Sequence, residues 1–561
     1  MKMRTILVAT LSTTVFLLAS SCKKFNESND NPNSAEKVSS NYILTYVLTE
    51  TAKSYYVLGN ENSSIAGTMQ YIQIGTNENA SAVNFYGWGH ESWSGYYSIL
   101  RNVKIINDNA KADGNKYFEG ISLVMKSFLF GMMTDLYGDI PYAEALSAKD
   151  GVYFPKYDSQ AEVYKGVITD LKTAVGLFAN LDPAKDAIDA GADVIFDGNR
   201  TKWSQFANGL ILRYTMRLYN KKSEMSALGM DIVQEFNSAA SGALAGIADE
   251  PTLKFPGTTN ENSTPGGPLN SSNPRLYNKP SSVLVNKLAE LNDPRLQRWV
   301  NPVRQKWDTH ITTAETQNVT NIFGEQYTVK LMPAASANGI DTAMYVGLPV
   351  GLATVDALVY NKGTDSQTYP PERNPYISYV HDRYRLNTDP YVNIKLITYS
   401  EVELLLAEAA LKGDFNVPGT ADLHYKNGIK ASMDRYGIIG AAAGFDFDDY
   451  YSNPDVDYAA APDKLERIME QKWIASWMGI ESWFDWRRTG YPDLQTGPVT
   501  QFGDKLPLRY MYPSPNLDPS YLKNYEAALA AMEPTPNVPE GQSADHSYSK
   551  MWLLQGTGKP W

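Results

Sequence analysis

The chain has 561 residues, 43% of them hydrophobic, and a net charge of −12, so it is large and apolar enough to bury a sizeable core. Its acidic balance and scattered basic residues argue against nucleic acid as a partner. The single cysteine, Cys22, excludes an intrachain disulfide, so packing must stabilise the fold.

Residues 1–21 have the layout of a secretory signal peptide. Two basic residues precede an apolar run over residues 6–18, which is shorter than the ~20 residues of a membrane-spanning helix. Small residues then lead to Cys22, so the segment resembles a bacterial lipobox with Ala19 where leucine is usual. We expect Cys22 to carry lipid and to anchor the mature protein to a membrane. The alternative is an ordinary free thiol.

Residues 22–40 are rich in Asn, Ser, Asp and Pro, which is typical of a flexible tether. Apolar residues at helical spacing then predict one domain over residues 41–561. The run over residues 117–137 is apolar on nearly all sides, which is typical of a central helix. Further helices are predicted over residues 41–58, 65–74, 92–109, 281–291, 464–478 and 519–532.

An aromatic loop interrupts these helices at residues 84–90. Its sequence, NFYGWGH, carries four rings, and its glycines oppose regular structure. Rings outside a helical stripe suit the apolar faces and hydroxyl groups of sugars, and the 37 tyrosines and 11 tryptophans of the chain favour the same chemistry. The alternatives are ordinary loop packing and a general abundance of tyrosine.

Residues 249–393 form a long irregular insertion, dominated by Pro, Gly, Asn, Ser and Thr. Short strands are predicted over residues 328–332 or 350–359. Long irregular segments on a regular scaffold are more often functional than not.

The remaining helical stripes predict the fold class. Trp203, Phe206 and Tyr214 recur at near-helical spacing, while Arg213 and Arg217 face water or pair with acids. Another stripe combines large residues with alanines that let two helices approach closely, as in tetratricopeptide-like hairpins, and it consists of Val402, Leu405, Leu406, Ala409 and Ala410. We therefore predict a mainly α fold of irregular tetratricopeptide-like hairpins with a loop-rich insertion that carries a few short strands.

Motifs for catalysis are scarce. The five histidines are far apart, and no zinc, nucleotide or serine-elbow motif occurs, so we predict no metal and no cofactor. Acids are plentiful, which leaves a glycosidase pair open. Residues 446–450 suggest a solvated acidic loop or a calcium site. Residues 481–488 combine arginines, acids and tryptophans, as expected of either a ligand cleft or a structural corner.

Several segments match a known family in order along the whole chain. They are MTDLYGDIPY at 133–142, KWSQFAN at 202–208, LRYTMRL at 212–218, DPRL at 293–296, YVGLPVG at 345–351, YSEVELLLAEA at 399–409, QKWI at 471–474 and ESWFDWRRTG at 481–490. Together with the lipobox, they resemble the SusD/RagB family of nutrient-binding outer-membrane lipoproteins.

The resemblance implies about four irregular tetratricopeptide-like repeats on one side of the molecule. It also implies a shallow ligand surface, formed by loops before the third helix and by the insertion. On this basis the candidate binding residues, for each of which loop packing is the alternative, are Phe85, Tyr86, Trp88, His90, Trp299, Trp307 and Tyr345.

Three functions remain open at this point. The family resemblance implies a non-catalytic lipoprotein, exposed on the outer membrane, that binds an oligosaccharide or other nutrient polymer and passes it to a SusC-like TonB-dependent transporter. The alternatives are a glycan-degrading surface enzyme and a periplasmic helical-repeat adaptor. The sequence does not distinguish a glycan from a peptide ligand.

Overall fold

The computed structural model describes residues 38–60, 63–75, 80–265, 276–370, 373–516 and 518–559. The predicted signal peptide, the lipidation site Cys22 and the tether up to residue 37 lie outside the described residues. No helix in the described ranges has the length and apolar character needed to span a bilayer.

The helices follow in chain order. They are α1 Ser40–Gly59, α2 Ser64–Thr68, α3 Ala80–Val83, α4 Ser94–Asp113, α5 Lys116–Tyr137, α6 Gln160–Ala179, α7 Arg200–Arg217, α8 Lys222–Ala227, α9 Ile232–Ala240, α10 Ser282–Glu290, α11 Arg295–Trp299, α12 Thr354–Val359, α13 Tyr399–Lys412, α14 Ala421–Arg435, α15 Phe447–Tyr451, α16 Lys464–Ala475, α17 Glu481–Thr489 and α18 Pro519–Leu529.

The strands are short. They are β1 Ile72–Ile74, β2 Thr252–Leu253, β3 Asn278–Pro280, β4 Val300–Asn301, β5 Gln305–Asp308, β6 Glu315–Thr320, β7 Gln326–Pro333, β8 Tyr379–Val380, β9 Ile394–Lys395, β10 Glu533–Pro534 and β11 Ser549–Lys550. One sheet has three strands in the order β5-β7-β6, and the others are two-stranded pairs.

Capping residues in the sequence set many helix ends. The side chains of Asn115, Thr398 and Asp463 accept hydrogen bonds from the first backbone N–H groups of α5, α13 and α16. Gly413 and Gly490 end α13 and α17 in the left-handed conformation that glycine adopts without strain.

The scaffold consists of helices that pack on their neighbours in the chain. The consecutive helices α4, α5, α6 and α7 pack side by side, and α13 packs on α14. Helix α5 is buried along nearly its whole length, as predicted. A Cβ at Gly428 of α14 would lie 2.6 Å from Leu404 of α13, so this hairpin needs glycine for its close approach. These hairpins confirm the predicted mainly α, tetratricopeptide-like fold.

The insertion is tied to this scaffold by short strand pairs. Its two ends meet where β2 pairs with β9, and β3 pairs with β1 near the start of the chain. The strand predicted over residues 328–332 lies within β7. The strand predicted over residues 350–359 is wrong, because residues 354–359 form the helix α12.

The predicted second helix is also shorter than expected. Helix α2 ends at Thr68, Gln70 has a positive φ of 55°, and residues 72–74 form β1. The register pairs Ile72 with Pro280, more than 200 positions away. This distant partner outweighs the local helical spacing that the sequence shows.

An ionic network crosses the buried centre of the scaffold. Arg213 of α7 donates from Nε to Glu401 of α13 at 2.7 Å, and Arg217, one turn later, pairs with both Asp135 of α5 and Glu481 of α17. All five side chains are buried. These residues belong to the segments that carry the family resemblance, so those segments meet in one interior cluster.

Candidate functional site

The aromatic loop at residues 84–90 is held by its first residue. The N–H of Ile74 donates to Asn84 Oδ1 at 2.8 Å, and Asn84 Nδ2 donates to the Ile74 carbonyl at 2.8 Å. Tyr86 has a φ of 59°, in the left-handed region that a bulky residue rarely occupies. The loop therefore has a fixed conformation set by β1 and by this turn.

Two of the loop's aromatic residues lie in the interior. Trp88 is 5% exposed, and its indole N–H donates to the Ala82 carbonyl at 3.1 Å. Its ring packs edge-on against Trp483 and Tyr510, with centroids 5.2 and 5.3 Å apart. Tyr86 is fully buried, and burial raises the pKa of its hydroxyl to about 12. Both side chains stabilise the loop from beneath in this structure.

The other two predicted loop residues reach the surface. Phe85 is half-buried, and its carbonyl accepts a hydrogen bond from the N–H of Gln501 at 3.0 Å. The imidazole of His90 is 39% exposed and donates from Nδ1 to the Tyr512 carbonyl at 2.6 Å. Phe85 and His90 are thus the members of the predicted loop set that can meet a ligand without rearrangement.

Trp299, predicted as a binding residue of the insertion, lies in the core. Its side chain is fully buried and stacks on Trp477, with ring centroids 5.4 Å apart and planes at 13°. Tyr436 packs edge-on against the same ring. Trp299 therefore packs against core rings other than those that contact the aromatic loop.

Trp307 supports a second group of aromatic residues in the insertion. It is buried, stacks on Tyr376 with centroids 4.7 Å apart and planes at 6°, and donates from its indole N–H to the Asn361 carbonyl. The hydroxyls of Tyr376 and of half-buried Tyr369 both donate to Asp365 at 2.7 Å. Trp307 and Tyr376 are thus core residues, and Tyr369 is the tyrosine of this group that reaches the surface.

Tyr345, the last of the predicted binding residues, is half-buried and packs against the main core. Burial raises the pKa of its hydroxyl above the usual range, and the nearby carboxylate of Glu325 adds to this effect. Its hydroxyl therefore remains protonated at neutral pH and is available as a hydrogen-bond donor.

A third segment joins the aromatic loop to the insertion. The N–H of Val499 donates to the Gly351 carbonyl at 3.0 Å, and the N–H of Gly351 donates to Gln73 Oε1 at 3.0 Å. A Cβ at Gly497 would lie 2.0 Å from the Val350 carbonyl oxygen, so only glycine fits there. Residues 81–90, 349–360 and 495–502 therefore form one surface, which we call the junction face.

The junction face presents apolar and aromatic groups beside polar ones. Val355 is 70% exposed, Phe85 and Phe502 are half-buried, and the side chain of Gln501 accepts a hydrogen bond from Ser81. Phe502 packs edge-on against His546, with centroids 4.8 Å apart. Such a surface offers ring faces and edges for stacking and side-chain amides for hydrogen bonding, which suits a ligand that is partly apolar and rich in hydroxyls.

Sequence reasoning did not identify Gln501 and Phe502. Their segment has no apolar period, and its glycines and prolines resemble those of any connecting loop. The one available signal is the Phe502 ring in an otherwise polar stretch. The segment lies at the junction face because Gln501 contacts Ser81, 420 positions earlier in the chain.

The segment at residues 481–488 forms a structural corner, as one of the two interpretations of its sequence proposed. Arg487 lies over the Trp483 ring at 4.2 Å and donates to the Leu508 carbonyl, and Arg488 pairs with Glu408. Asp485 pairs with Lys472 at 2.8 Å; burial raises the pKa of this carboxyl, but Lys472 and the arginines outweigh burial and lower it to about 2.

The acidic run at residues 446–450 caps a helix. Asp446 accepts hydrogen bonds from the N–H groups of Asp448 and Asp449 at the start of α15. Among the residues that the structure describes, no group of three or more His, Cys, Asp or Glu side chains is placed to hold a metal ion.

Comparison with known proteins gives a consistent result. Residues 32–513 match a family model named SusD-like and described as "Starch-binding associating with outer membrane". No curated protein sequence matches significantly. Many solved structures are similar, and those described next are less than 25% identical in sequence, so they show the fold alone.

Three of these structures illustrate the similarity. A SusD homologue from Bacteroides fragilis is 24% identical, with a TM-score of 0.68 over 91% of this chain and 99% of its own. A SusD/RagB family protein from Bacteroides thetaiotaomicron is 23% identical, with a TM-score of 0.62 over 93% and 100%. A protein described as chitin-binding is 24% identical, with a TM-score of 0.66 over 92% and 99%.

Proposed function

Because this chain belongs to the SusD-like family of starch-binding proteins that associate with the outer membrane, we propose that it is a non-catalytic, lipid-anchored surface protein that captures an oligosaccharide for uptake. The family match over residues 32–513 carries the proposal. The junction face is its binding surface, and a SusC-like TonB-dependent transporter receives the ligand.

The geometry of the junction face supports glycan binding. Half-buried Phe85 and Phe502 belong to the two segments that the hydrogen bonds of Gln501 with Phe85 and Ser81 join, and partly exposed His90 ends the aromatic loop. Sugar rings have apolar faces that stack on aromatic side chains and hydroxyl groups that bond to amides and imidazoles. Tyr86 and Trp88 act in this proposal by holding Phe85 in place from the interior.

The carboxylates of the junction face favour binding over hydrolysis. Glycosidases use two carboxyl groups that face each other across the scissile bond. Within residues 81–90, 349–360 and 495–502, Asp356 is the one carboxylate. A glycan-degrading enzyme, the alternative function, needs a second acid that these three described ranges do not supply.

Binding is tested with the soluble protein that begins at Lys23. A glycan array first identifies ligands, with malto- and chito-oligosaccharides among the probes, and calorimetry then measures affinity. Phe85→Ala with Phe502→Ala should weaken binding by ~1–3 kcal/mol, the range for aromatic stacking on a flat ring. Tyr42→Ala is the matched control, since Tyr42 is an 80% exposed aromatic residue at the start of α1. New reducing ends released from the bound glycan would contradict a non-catalytic role.

The transporter partnership is tested separately. Purification from native membranes in mild detergent should recover the protein together with a large outer-membrane barrel. We expect their interface to bury at least the ~1,600 Å² of a standard protein–protein contact, because the complex has to last. Repeated recovery of the monomer alone would contradict the partnership. Antibody labelling of intact cells distinguishes an exterior protein from a periplasmic helical-repeat adaptor.

A further inference from the structure

A cavity of about 110 Å³ lies on the scaffold between the C-terminal half of α1, strand β9 and the ends of α14 and α16. It shares no lining residue with the junction face. Six aromatic residues contribute to its walls, and they are Tyr55, Tyr56, Tyr384, Tyr391, Tyr436 and Trp477. A site for a single water needs only ~10–15 Å³ of such space, so the cavity has room for a small organic molecule.

Two of the three cationic side chains that line this cavity, Lys395 and Arg435, keep unused hydrogen-bond donors. The ammonium of Lys395 has one acceptor among the described residues, the Asn393 carbonyl oxygen, at a long 3.5 Å. Arg435 is 8% exposed and donates from Nη2 to Glu250 at 3.2 Å. Its Nε is buried and has no acceptor among the described residues. Both cations therefore retain hydrogen-bonding capacity toward the cavity.

The carboxylates nearby are already engaged by other partners. Glu401 and Glu481 line the cavity, but Arg213 pairs with both of them, at 2.7 and 3.4 Å. The remaining lysine of the lining, Lys472, pairs with Asp485. The carboxylates of the ionic network thus leave Lys395 and Arg435 for other anions.

Glu250 is the carboxylate left for two cations. Its Oε1 accepts from Arg435 and also from the N–H of Tyr399 at 2.9 Å. Glu250 thus serves two cations, and the half-buried ammonium of Lys395 has no ion pair of its own among the described residues. Burial lowers the pKa of Lys395 to about 8, and Arg435 adds to this effect while Glu250 opposes it.

We propose that this cavity binds a small organic carboxylate, which pairs with Lys395 and Arg435 and packs between the tyrosine rings. A carboxylate has four lone-pair positions, enough to accept from both the ammonium and the free Nε. Glucuronate has the required combination of a carboxylate with a ring that stacks on aromatic side chains, so it is the probe of choice. The site is separate from the junction face, and its occupancy does not depend on glycan capture there.

Binding of glucuronate to the soluble protein is measured by calorimetry, with glucose and inorganic phosphate as comparisons. We expect saturable binding of glucuronate, with glucose and phosphate at least about tenfold weaker, because each lacks either the carboxylate or the ring. Equal binding of phosphate would overturn the assignment to an organic carboxylate. Absence of glucuronate binding would overturn the site.

Variants of Lys395 test the location. Lys395→Met should weaken glucuronate binding about tenfold or more, whereas Lys395→Arg, which keeps the charge, should retain it. The control is Lys254→Met, since Lys254 is an exposed lysine beside β2, the partner strand of β9. Unchanged affinity in Lys395→Met would overturn the proposal.

A second measurement does not depend on the folding of a variant. In the wild-type protein with ¹³C-methylated lysines, NMR titration reports the pKa of Lys395, and Lys395→Arg identifies its signal. Saturating glucuronate should raise this pKa, because an opposite charge beside an ammonium favours its protonated form. An unchanged pKa at saturation would contradict direct contact with the carboxylate.

Discussion

Trp88 packs edge-on against Trp483 in the interior, with their ring centroids 5.2 Å apart and their planes at 63°. The contact joins the aromatic loop to the corner formed by α17, almost 400 positions later in the chain. The ring that is most suggestive of a stacking platform in the sequence is therefore a core residue, and its neighbour Phe85 carries the exposed surface.

Trp88→Ala should lower the free energy of unfolding by ~3–5 kcal/mol, because truncation of a buried tryptophan leaves a cavity. Phe85→Ala, three residues earlier in the same loop, should change stability much less but should weaken glycan binding. Urea denaturation and calorimetry on both variants give the comparison. A stable Trp88→Ala protein with reduced affinity would return Trp88 to the binding site.

Glu481→Ala should also destabilise the fold by about 3–5 kcal/mol, since it leaves buried arginines without their partner. Glu481 accepts from the Tyr55 hydroxyl at 3.2 Å as well as pairing with Arg213 and Arg217. The control is Lys104→Ala, which removes an exposed ion pair with Asp108 and should cost ~0–1 kcal/mol. Similar denaturation midpoints for the two variants would refute the central role of the network.

Stability should fall as the pH rises through neutrality because of His424. Its Nδ1 lies 2.7 Å from Glu403 and its Nε2 lies 2.6 Å from the Pro418 carbonyl, so both nitrogens can donate when the ring is protonated. Burial alone lowers the pKa of His424, but these hydrogen bonds outweigh it and raise the pKa. The folded state therefore holds the proton more tightly than the unfolded state, whose histidine pKa is about 6.5.

The stabilisation by protonated His424 is complete below that pH and is lost as the pH passes the folded-state pKa. Denaturation midpoints should begin to decline as the pH rises above about 6.5, and the decline should be smaller in His424→Gln. A steeper decline in this variant than in the wild type would refute the assignment. NMR titration of the imidazole measures the pKa directly, and Glu403→Gln should lower it.

Cys22→Ser should release the protein from membranes without unfolding it, because acylation at this cysteine is the expected anchor. Membrane fractions washed in high salt show the difference, and circular dichroism of the released protein checks its fold. Retention equal to that of the wild type would rule out lipid anchoring at Cys22.

The scaffold was predictable because its signals are local. The stripe of Trp203, Phe206 and Tyr214 lies on the buried side of α7, and the apolar run at residues 117–137 forms α5. Helical spacing and caps repeat within one turn, so sequence alone locates them. The pairing of Arg213 with acids was also foreseeable, since a buried arginine needs such partners.

The candidate site was less predictable because its contacts are distant. Glycines beside Trp88 indicate a loop but do not reveal that Trp483 and Tyr510 cover its ring. Trp299 was predicted as a binding residue because it lies in the irregular insertion, but Trp477 stacks on it in the core. Whether an aromatic residue in an irregular segment is exposed depends on elements far away in sequence, and no periodicity encodes them.

The ionic network also constrains the order in which the chain acquires its native state. Its bonds join residues that are 264 positions apart, as for Arg217 and Glu481, or 426 apart, as for Tyr55 and Glu481. Contacts that close such long loops form slowly. A chain that lacks α17 loses Glu481, the acid that Arg213 and Arg217 share, so we expect it to be less stable and more susceptible to proteases than the full chain.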